Sequence, residues 1–422
     1  MSVSEIILNT VLFLTLYVQV LLLFTFLEKG GGKRAEGRTL EQKIPLSPLS
    51  LPAVAIIVPC WNEERTLAGT VRSLLALEYP KEKLQVLIVD DGSTDKTLAV
   101  AKRFECEPQV RIFTKENGGK HTALNFGIAN SQSELVGCLD ADAFVERNAL
   151  LEVVREFRLR PEIMAVTPAI RVFEPKNMLQ RIQRVEYNMG IFLRKMFSEM
   201  NAITVTPGPF SLFRREVFRD LGEYRKAHNT EDMEYALRMH KNHYPIGNAH
   251  MAFVHTVAPS TFRGLIRQRL RWVYGFLKNA YDYRMLLLNK KYGNVGVFSM
   301  PIAVLSIFTV IYYTSVAATQ ATEKWGEKWV EYETLGWRWP DFAAALSYDW
   351  WFFWNTNLTN VIVVALFASA VAIVFIGQKL AEGRMNVHSG IFYFFLLYGL
   401  LAPIWIFRAV WNVIFSKKTG WR

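Results

Sequence analysis

Residues 86–95 read V-L-I-V-D-D-G-S-T-D, a β-branched apolar run that stops at two carboxylates and a glycine. A short run of this kind predicts a buried strand, and the polar residues after it predict a turn. A carboxylate of Asp90 or Asp91 could accept hydrogen bonds from ribose hydroxyls or base edges. The same residues could form a plain turn before a helix that Ser93 or Thr94 caps, and the two interpretations are compatible.

Similar apolar runs recur across residues 53–260 and alternate with helical stretches. They lie at 54–58, 110–113, 135–139 and 164–168. This alternation predicts a doubly wound α/β domain with a mostly parallel sheet. Because ligands of such folds bind at the carboxyl ends of the strands, the polar residues that follow these runs are the candidate site.

Two more polar clusters follow strand-like runs, Trp61-Asn62-Glu63 and Asp140-Ala141-Asp142. Both carboxylates of the second cluster leave the end of one strand, so they could converge on a single cation. Oxygen ligands suit Mg²⁺ or Mn²⁺. A D-x-D pair alone occurs in many turns, but its position after a strand favours a metal site.

Two further motifs lie at predicted helix starts. Gly118-Gly119-Lys120 precedes a helix that runs to about Asn130; it lacks the Walker spacing, and it is either a simple turn or a place where backbone and ammonium approach a diphosphate. Thr230-Glu231-Asp232 opens a helix that runs to about His240. Its acids either complement the helix dipole or include a general base.

Two further segments could line a binding site. Pro207-Gly208-Pro209-Phe210 is either a turn that starts the next helix or a rigid lip beside a site. Gln268-Arg269-Leu270-Arg271-Trp272 lies on a basic amphipathic stretch, where Gln268, Arg271 and Trp272 share one helical face. An arginine fork suits phosphate and an indole suits stacking on a sugar ring. The alternative is a helix whose Trp anchors it at a membrane interface.

Four hydrophobic segments predict membrane spans, at residues 6–27, 295–318, 351–376 and 390–414. The first, at about 1.5 Å per residue, is about 33 Å long and can cross a bilayer. No basic region precedes it and no small-residue cleavage site follows, so we expect an uncleaved anchor. A Trp-rich stretch between the second and third spans predicts an interfacial or external loop. Its tryptophans are Trp325, Trp329, Trp337 and Trp339.

The charges predict the orientation of the chain. Five basic residues follow the first span and none precedes it, which places the N-terminus outside and the next domain in the cytoplasm, at the plasma membrane. Four spans then place the C-terminal tail outside, although Lys417, Lys418 and Arg422 oppose that placement. The segments 176–200 and 263–288 are basic and amphipathic. They either lie in the membrane interface or pack onto the α/β domain.

These features divide the chain into five parts. They are an anchor (1–28), a basic linker (29–52), a cytoplasmic α/β domain (53–260), an interface helix (261–290) and a membrane domain with three spans (291–422). The net charge is +11, but no nucleic-acid motif accompanies it, so we expect anionic lipids and anionic substrates as partners and no nucleic acid. Three scattered cysteines predict free thiols in a reducing compartment.

Read in order, the motifs resemble those of the processive family 2 glycosyltransferases, which include cellulose, hyaluronan, chitin and poly-N-acetylglucosamine synthases. The motifs are V-P-C-W-N-E, V-D-D-G-S-T-D, G-G-K, D-A-D, G-P-F, T-E-D and Q-R-L-R-W. The resemblance implies a nucleotide-sugar-binding fold of the glycosyltransferase A type. Trp61 stands where Tyr is commoner, and Phe210 stands where some members have Cys.

The resemblance also implies roles for the site residues. Trp61 would stack on uracil beside Glu63, Asp91 would contact the nucleotide, and Lys120, Gln268 and Arg271 would contact the diphosphate. Asp140 would contact the nucleotide sugar or metal, and Asp142 would hold Mg²⁺ or Mn²⁺. Asp232, with Glu231 beside it, would be the catalytic base. Trp272, with Gly208 and Phe210, would receive the acceptor sugar.

We therefore predict a membrane-embedded, inverting polymerase that extends a β-linked polysaccharide from a UDP-sugar, such as UDP-N-acetylglucosamine, and passes it through its own helices. One alternative is a transferase that adds a single sugar to a lipid or lipid phosphate, against which the 268–272 motif argues. Another is a transporter or receptor with an inactive domain, against which the intact acids argue. The sequence gives no information about an accessory membrane subunit.

Overall fold

The computed structural model describes residues 3–30, 50–336 and 357–415, and its centre is an eight-stranded mixed sheet. The strand order is β3-β2-β1-β4-β7-β6-β8-β5. The strands are β1 (Val54–Cys60), β2 (Leu84–Asp90), β3 (Val110–Thr114), β4 (Leu135–Cys138), β5 (Ala143–Val145), β6 (Ala165–Val172), β7 (Leu212–Arg214) and β8 (Ile246–Thr256). All five predicted runs are strands.

The first half of the sheet is parallel, as the sequence predicts. Strand β1 pairs in parallel with β2 and β4, and β2 pairs in parallel with β3. Strand β7 then enters antiparallel between β4 and β6, and β5 pairs antiparallel with β8. The predicted α/β sheet is therefore confirmed, with a mixed second half that the sequence did not indicate.

Helices cover both faces of this sheet and also extend beyond it. They are α1 (Val3–Thr25), α2 (Leu67–Leu75), α3 (Thr97–Lys102), α4 (Lys120–Ala129), α5 (Ala149–Leu159), α6 (Met178–Glu199), α7 (Arg215–Leu221), α8 (Glu231–Lys241), α9 (Phe262–Asp282), α10 (Met300–Leu335), α11 (Leu358–Glu382) and α12 (Ser389–Ile414). Strands β1, β2, β4 and β6 are buried on both faces, which explains their nearly continuous apolar runs.

The alternating side chains of β1 show how the two faces are filled. Ile56 and Val58 point into a cluster with Leu67 of α2 and Leu150 of α5. The next side chain, Ile57, points the other way, into a cluster that includes residues of α4 and α8. Because side chains alternate along a strand, one run of five apolar residues supplies both cores.

Among the described residues, four helical segments are long and apolar enough to cross a membrane: Glu5–Lys29, Val295–Leu335, Leu358–Glu382 and Ser389–Ile414. The number of predicted spans is therefore confirmed. Of the predicted third span, 351–376, the structure describes an apolar helix from Leu358, after the N-cap Asn357, and this helix continues to Glu382. Residues 351–356 lie outside the described residues.

The prediction of a loop around Trp325 and Trp329 is wrong. Both residues lie on a continuation of α10, and both are exposed. The helix continues because the segment is rich in Ala, Glu and Lys, which are good helix formers. Trp337, Trp339 and the basic tail residues lie outside the described part of the chain.

Polar residues that interrupt the first span connect it to another spanning helix. Asn9 Oδ1 accepts a hydrogen bond of 2.7 Å from Thr359 Oγ1, and the hydroxyl of Ser369 donates to Gln19. Both donors lie on α11. In an apolar surrounding an unpaired amide is costly, so these bonds align α1 with α11.

Helix α6 lies between the sheet and the spanning helices. Ile191 packs with Ala169 of β6 and Ala381 of α11, and Ile182 packs with residues of α11 and α12. For segment 176–200, packing onto the α/β domain is therefore confirmed, and the same helix also packs on the candidate spanning helices. Helix α9 likewise packs on α12, where Leu265 contacts Trp405 and Ile406.

The crossing of α6 and α11 allows a stability prediction. A Cβ on Gly377 would lie 2.6 Å from the Asn188 carbonyl oxygen, so Gly377→Ala must push two backbones apart. We expect it to destabilise the protein by about 1–3 kcal/mol, measured as a lower thermal midpoint in detergent.

The matched control is Gly399→Ala on α12, where a Cβ would meet nothing within 4 Å. It should leave the midpoint unchanged or slightly higher because Ala favours helix. Equal midpoints for the two variants would contradict the close packing of α6 on α11.

Candidate active site

The polar residues that follow the parallel strands β1 and β2 lie next to each other, as predicted. The loop after β1 and the loop after β2 are directly bonded: Asn62 N donates to Ser93 Oγ at 2.9 Å, and Thr94 N donates to Asn62 Oδ1 at 2.9 Å. A turn and a helix do follow β2, but the N-cap of that helix is Lys96, so the prediction that Ser93 or Thr94 caps it is wrong. Trp61, just before Asn62, is 38% exposed at this edge of the sheet.

The carboxylate of Asp91 holds the glycine loop that precedes α4. It accepts hydrogen bonds from the backbone N–H groups of Gly118 (3.1 Å) and Gly119 (2.8 Å), and Lys115 Nζ lies 2.6 Å away. Asp91 is only 3% exposed. We predicted neither this role of Asp91 nor any role of Lys115. The partners of Asp91 lie on the loop after β3, and no local pattern connects them to Asp91.

Lys120, at the first position of α4, lies among acids. Its Nζ is 2.5 Å from Asp140 Oδ1 and 3.7 Å from Glu231 Oε1. Burial alone would lower the pKa of Lys120, but Asp140 and Glu231 outweigh it and raise the pKa above the usual lysine value. The structure thus brings together three predicted site residues, each contributed by a different motif.

Gly208 lies against the Lys120–Asp140 pair, where a Cβ would be 2.5 Å from Lys120 Nζ. The carbonyl of Gly208 accepts a bond from the Cys138 thiol at 3.0 Å, and Phe210 N donates to the Cys138 carbonyl at 2.7 Å. Phe210 is buried and has φ +63°. The segment leads into β7, so the alternative that it starts a helix is wrong.

Asp142 is the second carboxylate of the D-x-D motif. Burial, together with the negative charges of Asp140 and Glu63, raises its pKa to about 7. Within the described ranges no group of three potential metal ligands is already gathered. The crowded carboxylates nevertheless fit a divalent cation, since hard oxygen ligands are what Mg²⁺ and Mn²⁺ prefer and a cation would relieve the repulsion.

Asp232 differs from its neighbour Glu231. Glu231 is 8% exposed and close to Lys120, whereas Asp232 is more accessible. Burial and the charge of Glu231 raise the pKa of Asp232 to about 6, although Lys120 and Arg271 lower it. A carboxylate with this pKa can accept a proton near neutral pH.

Helix α9 is clamped to the turn that precedes Asp232. Arg271 Nη1 donates to the Asn229 carbonyl at 3.2 Å, and Asn279 Nδ2 donates to Thr230 Oγ1 at 2.8 Å. Between them Gly275 lies so close to Thr230 that a Cβ would be 2.9 Å from the Thr230 Cβ. Helix α9, which carries Q-R-L-R-W, and the acid motif, Thr230-Glu231-Asp232, are therefore held together.

The remaining members of the 268–272 motif lie on the same helix. The side-chain oxygen of Gln268 is buried without a hydrogen-bond partner. The ring of Trp272 is covered by the guanidinium of Arg269, 4.3 Å from the ring centroid. Arg269 was not a predicted site residue. Its spacing of three residues from Trp272 was the signal that could have found it.

The three cysteines are free, as predicted. Cys60 and Cys138 are buried at the ends of β1 and β4, and Cys106 is exposed. Burial raises the pKa of the Cys138 thiol to about 12. This thiol is therefore protonated and acts as a hydrogen-bond donor at the site rather than as a nucleophile.

Some known proteins are similar to this chain in sequence, and others are similar to it in fold. Over 224 residues the chain is 32% identical to the poly-beta-1,6-N-acetyl-D-glucosamine synthase of Staphylococcus epidermidis, a match that covers 53% of this chain and 54% of that protein. Over 279 residues it is 29% identical to the same synthase of Staphylococcus aureus strain COL, which covers 65% and 67%. The chain thus spans about half the length of the first relative.

A solved mannosyltransferase from Pyrobaculum calidifontis, in complex with GDP-mannose and Mn²⁺, has the same fold. It superposes with a TM-score of 0.60 at 19% identity, over 97% of this chain and 99% of that one. The model of glycosyl transferase family 2 matches residues 55–222, which hold β1 to β7 and the D-x-D motif. Residues 55–222 of this chain are therefore similar to the family 2 glycosyltransferases.

Proposed function

We propose that this protein is a membrane-embedded, inverting glycosyltransferase that builds a β-linked polysaccharide from UDP-N-acetylglucosamine or a similar UDP-sugar. The observation that carries the proposal is the contact of α9, the helix that carries Arg271 and Trp272, with the turn before Asp232. It is supported by similarity to relatives that are named poly-beta-1,6-N-acetyl-D-glucosamine synthases.

The donor would bind at the carboxyl ends of β1, β2 and β4. Exposed Trp61 would stack on the uracil ring, with Glu63 beside it. Asp91 would shape the glycine loop that approaches the nucleotide, in addition to any direct contact. Lys120 would release Asp140 and bind the diphosphate, joined by Gln268 and Arg271.

Asp142 and Asp140 would hold Mg²⁺ or Mn²⁺. The mannosyltransferase with the same fold was solved with Mn²⁺. When bound, the ion supplies positive charge that stabilises the leaving diphosphate. Glu63 adds to the negative charge that favours its binding.

Asp232 would act as the general base. Its carboxylate takes the proton of the acceptor hydroxyl while the acceptor oxygen bonds to the anomeric carbon and the bond from that carbon to UDP breaks. One displacement inverts the carbon, so an α-linked donor gives a β-linkage. Glu231 would keep Lys120 in place rather than accept the proton.

The acceptor would lie on Trp272, with Gly208 and Phe210 as the lip of the site. Helix α9 packs on the spanning helix α12, so the product would leave the site beside the membrane. We place the α/β domain in the cytoplasm and the spans in the plasma membrane. Passage of the polymer through these helices belongs to the same proposal.

The test supplies purified protein in detergent with a panel of UDP-sugars and Mg²⁺ or Mn²⁺. We expect UDP release and a long product, read by mass spectrometry. Transfer of one sugar per lipid acceptor would replace the polymerase with a single-sugar transferase. Absence of UDP release with every donor would overturn the enzyme assignment.

Replacing the base should separate chemistry from binding. Asp232→Asn removes the proton acceptor, so we expect transfer to fall by about 10²–10⁴-fold while the donor Kd stays within a few-fold. Asp220→Asn is the matched control, since Asp220 pairs with Arg219 at the protein surface. Loss of donor binding in Asp232→Asn would contradict the base assignment.

The pH profile follows from the raised pKa of Asp232, about 6. The base is active when deprotonated, so we expect the transfer rate at saturating donor and metal to rise with pH through about 6 and then level off. Initial rates from pH 4.5 to 8.5 test this. A rate that falls as pH rises through 6 would be the wrong sign for a carboxylate base.

The contact between α9 and the acid motif gives another expectation. Gly275→Ala would overlap the Thr230 side chain and push the turn before Asp232 away from Arg271. We expect transfer to fall by about tenfold or more, because a misplaced catalytic group is costly. Gly190→Ala on α6 is the control, since a Cβ there meets nothing within 4 Å. Equal rates for the two variants would contradict the coupling.

A further inference from the structure

The Q-R-L-R-W motif has two arginines, and Arg269 is the one that does not contact the acid motif. It is 4% exposed, and its Nη2 lies 2.7 Å from Glu186 Oε2 on α6. By contrast, Arg271 bonds to the turn before Asp232. The two arginines of one motif therefore serve different partners.

The guanidinium of Arg269 also lies among aromatic rings. Its Cζ is 4.3 Å from the ring centroid of Trp272 and 6.0 Å from that of Tyr187. A planar guanidinium at this distance attracts the face of an indole, most strongly where water is excluded. Trp272 therefore has one face in contact with a cation whose position Glu186 determines.

Glu186 has a second partner in the membrane domain. The hydroxyl of Tyr398, which lies on the spanning helix α12, is next to the Glu186 carboxylate. Tyr398 is itself held by aromatic contacts with Phe394 and Trp405. A continuous series of contacts thus runs from α12 through Glu186 and Arg269 to Trp272.

We propose that Glu186 and Arg269 are positioning residues that hold the Trp272 indole at the acceptor site and connect it to spanning helix α12. The proposal rests on the proposed function, in which Trp272 carries the acceptor sugar. Neither residue is among those that we propose to bind the donor or the metal or to act as the base. Their loss should harm the capture and extension of an acceptor and spare the donor half of the reaction.

Glu186→Gln tests this because it removes the charge but keeps the shape. Arg269 then remains buried with a weaker partner, and the indole is released. We expect polymer extension to fall by about tenfold, while UDP-sugar hydrolysis without acceptor and the donor KM stay within about twofold. Arg269→Lys, which keeps the ion pair but loses the flat stacking surface, should shorten the product in the same way.

The matched control is Glu382→Gln. Glu382 on α11 pairs with Arg184 on α6 at 2.6 Å, so it also ties α6 to a spanning helix, but away from Trp272. We expect it to leave product length unchanged. Equal shortening in Glu382→Gln and Glu186→Gln would overturn the proposal, because the effect would then come from helix attachment alone.

Two more variants keep the outcome decisive. Tyr398→Phe removes only the hydroxyl that is next to Glu186, so it tests the connection to α12 even if Glu186→Gln folds poorly. Unchanged product length in Tyr398→Phe would overturn that connection.

Trp272→Ala tests the underlying function. If Trp272→Ala extends polymer normally, the acceptor site itself is misassigned; if it fails while Glu186→Gln extends normally, only the positioning proposal is wrong.

Discussion

The close approach of α9 to the turn at Thr230 is the constraint on which the site depends. Gly275 admits the turn because it has no Cβ, and Asn279 bonds the Thr230 hydroxyl. With this contact in place, Arg271 reaches the residues before Asp232. The helix that begins with the acids and the helix that carries the arginine and the indole are then held together.

The candidate spanning helices pack directly on the helices that border the site. Helix α6 contacts the sheet on one side and α11 and α12 on the other, and α9 lies on α12. Basic amphipathic helices can occupy this position because one face is apolar while the cations reach polar partners. Arg184 and Arg269 do this through Glu382 and Glu186.

Much of the fold could be predicted because strand runs and helix starts are local patterns. All five runs are strands, and the helices after Gly119 and Thr230 begin where the motifs indicate. Strands β5 and β7 have three residues each, too few to show a period. Strand β8 was missed, and the antiparallel entry of β7 depends on contacts between distant segments.

The sequence by itself determined which chemical groups this protein has and where each leaves a strand or begins a helix. Tertiary structure decided which partner each charge takes. Lys115 reaches Asp91 across 24 residues, and Arg269 reaches Glu186 across 83. Arg269 and Arg271 are the same residue type two positions apart, about 200° around a helix. Local patterns cannot assign their partners, because the partners come from other elements that only packing brings within bonding distance.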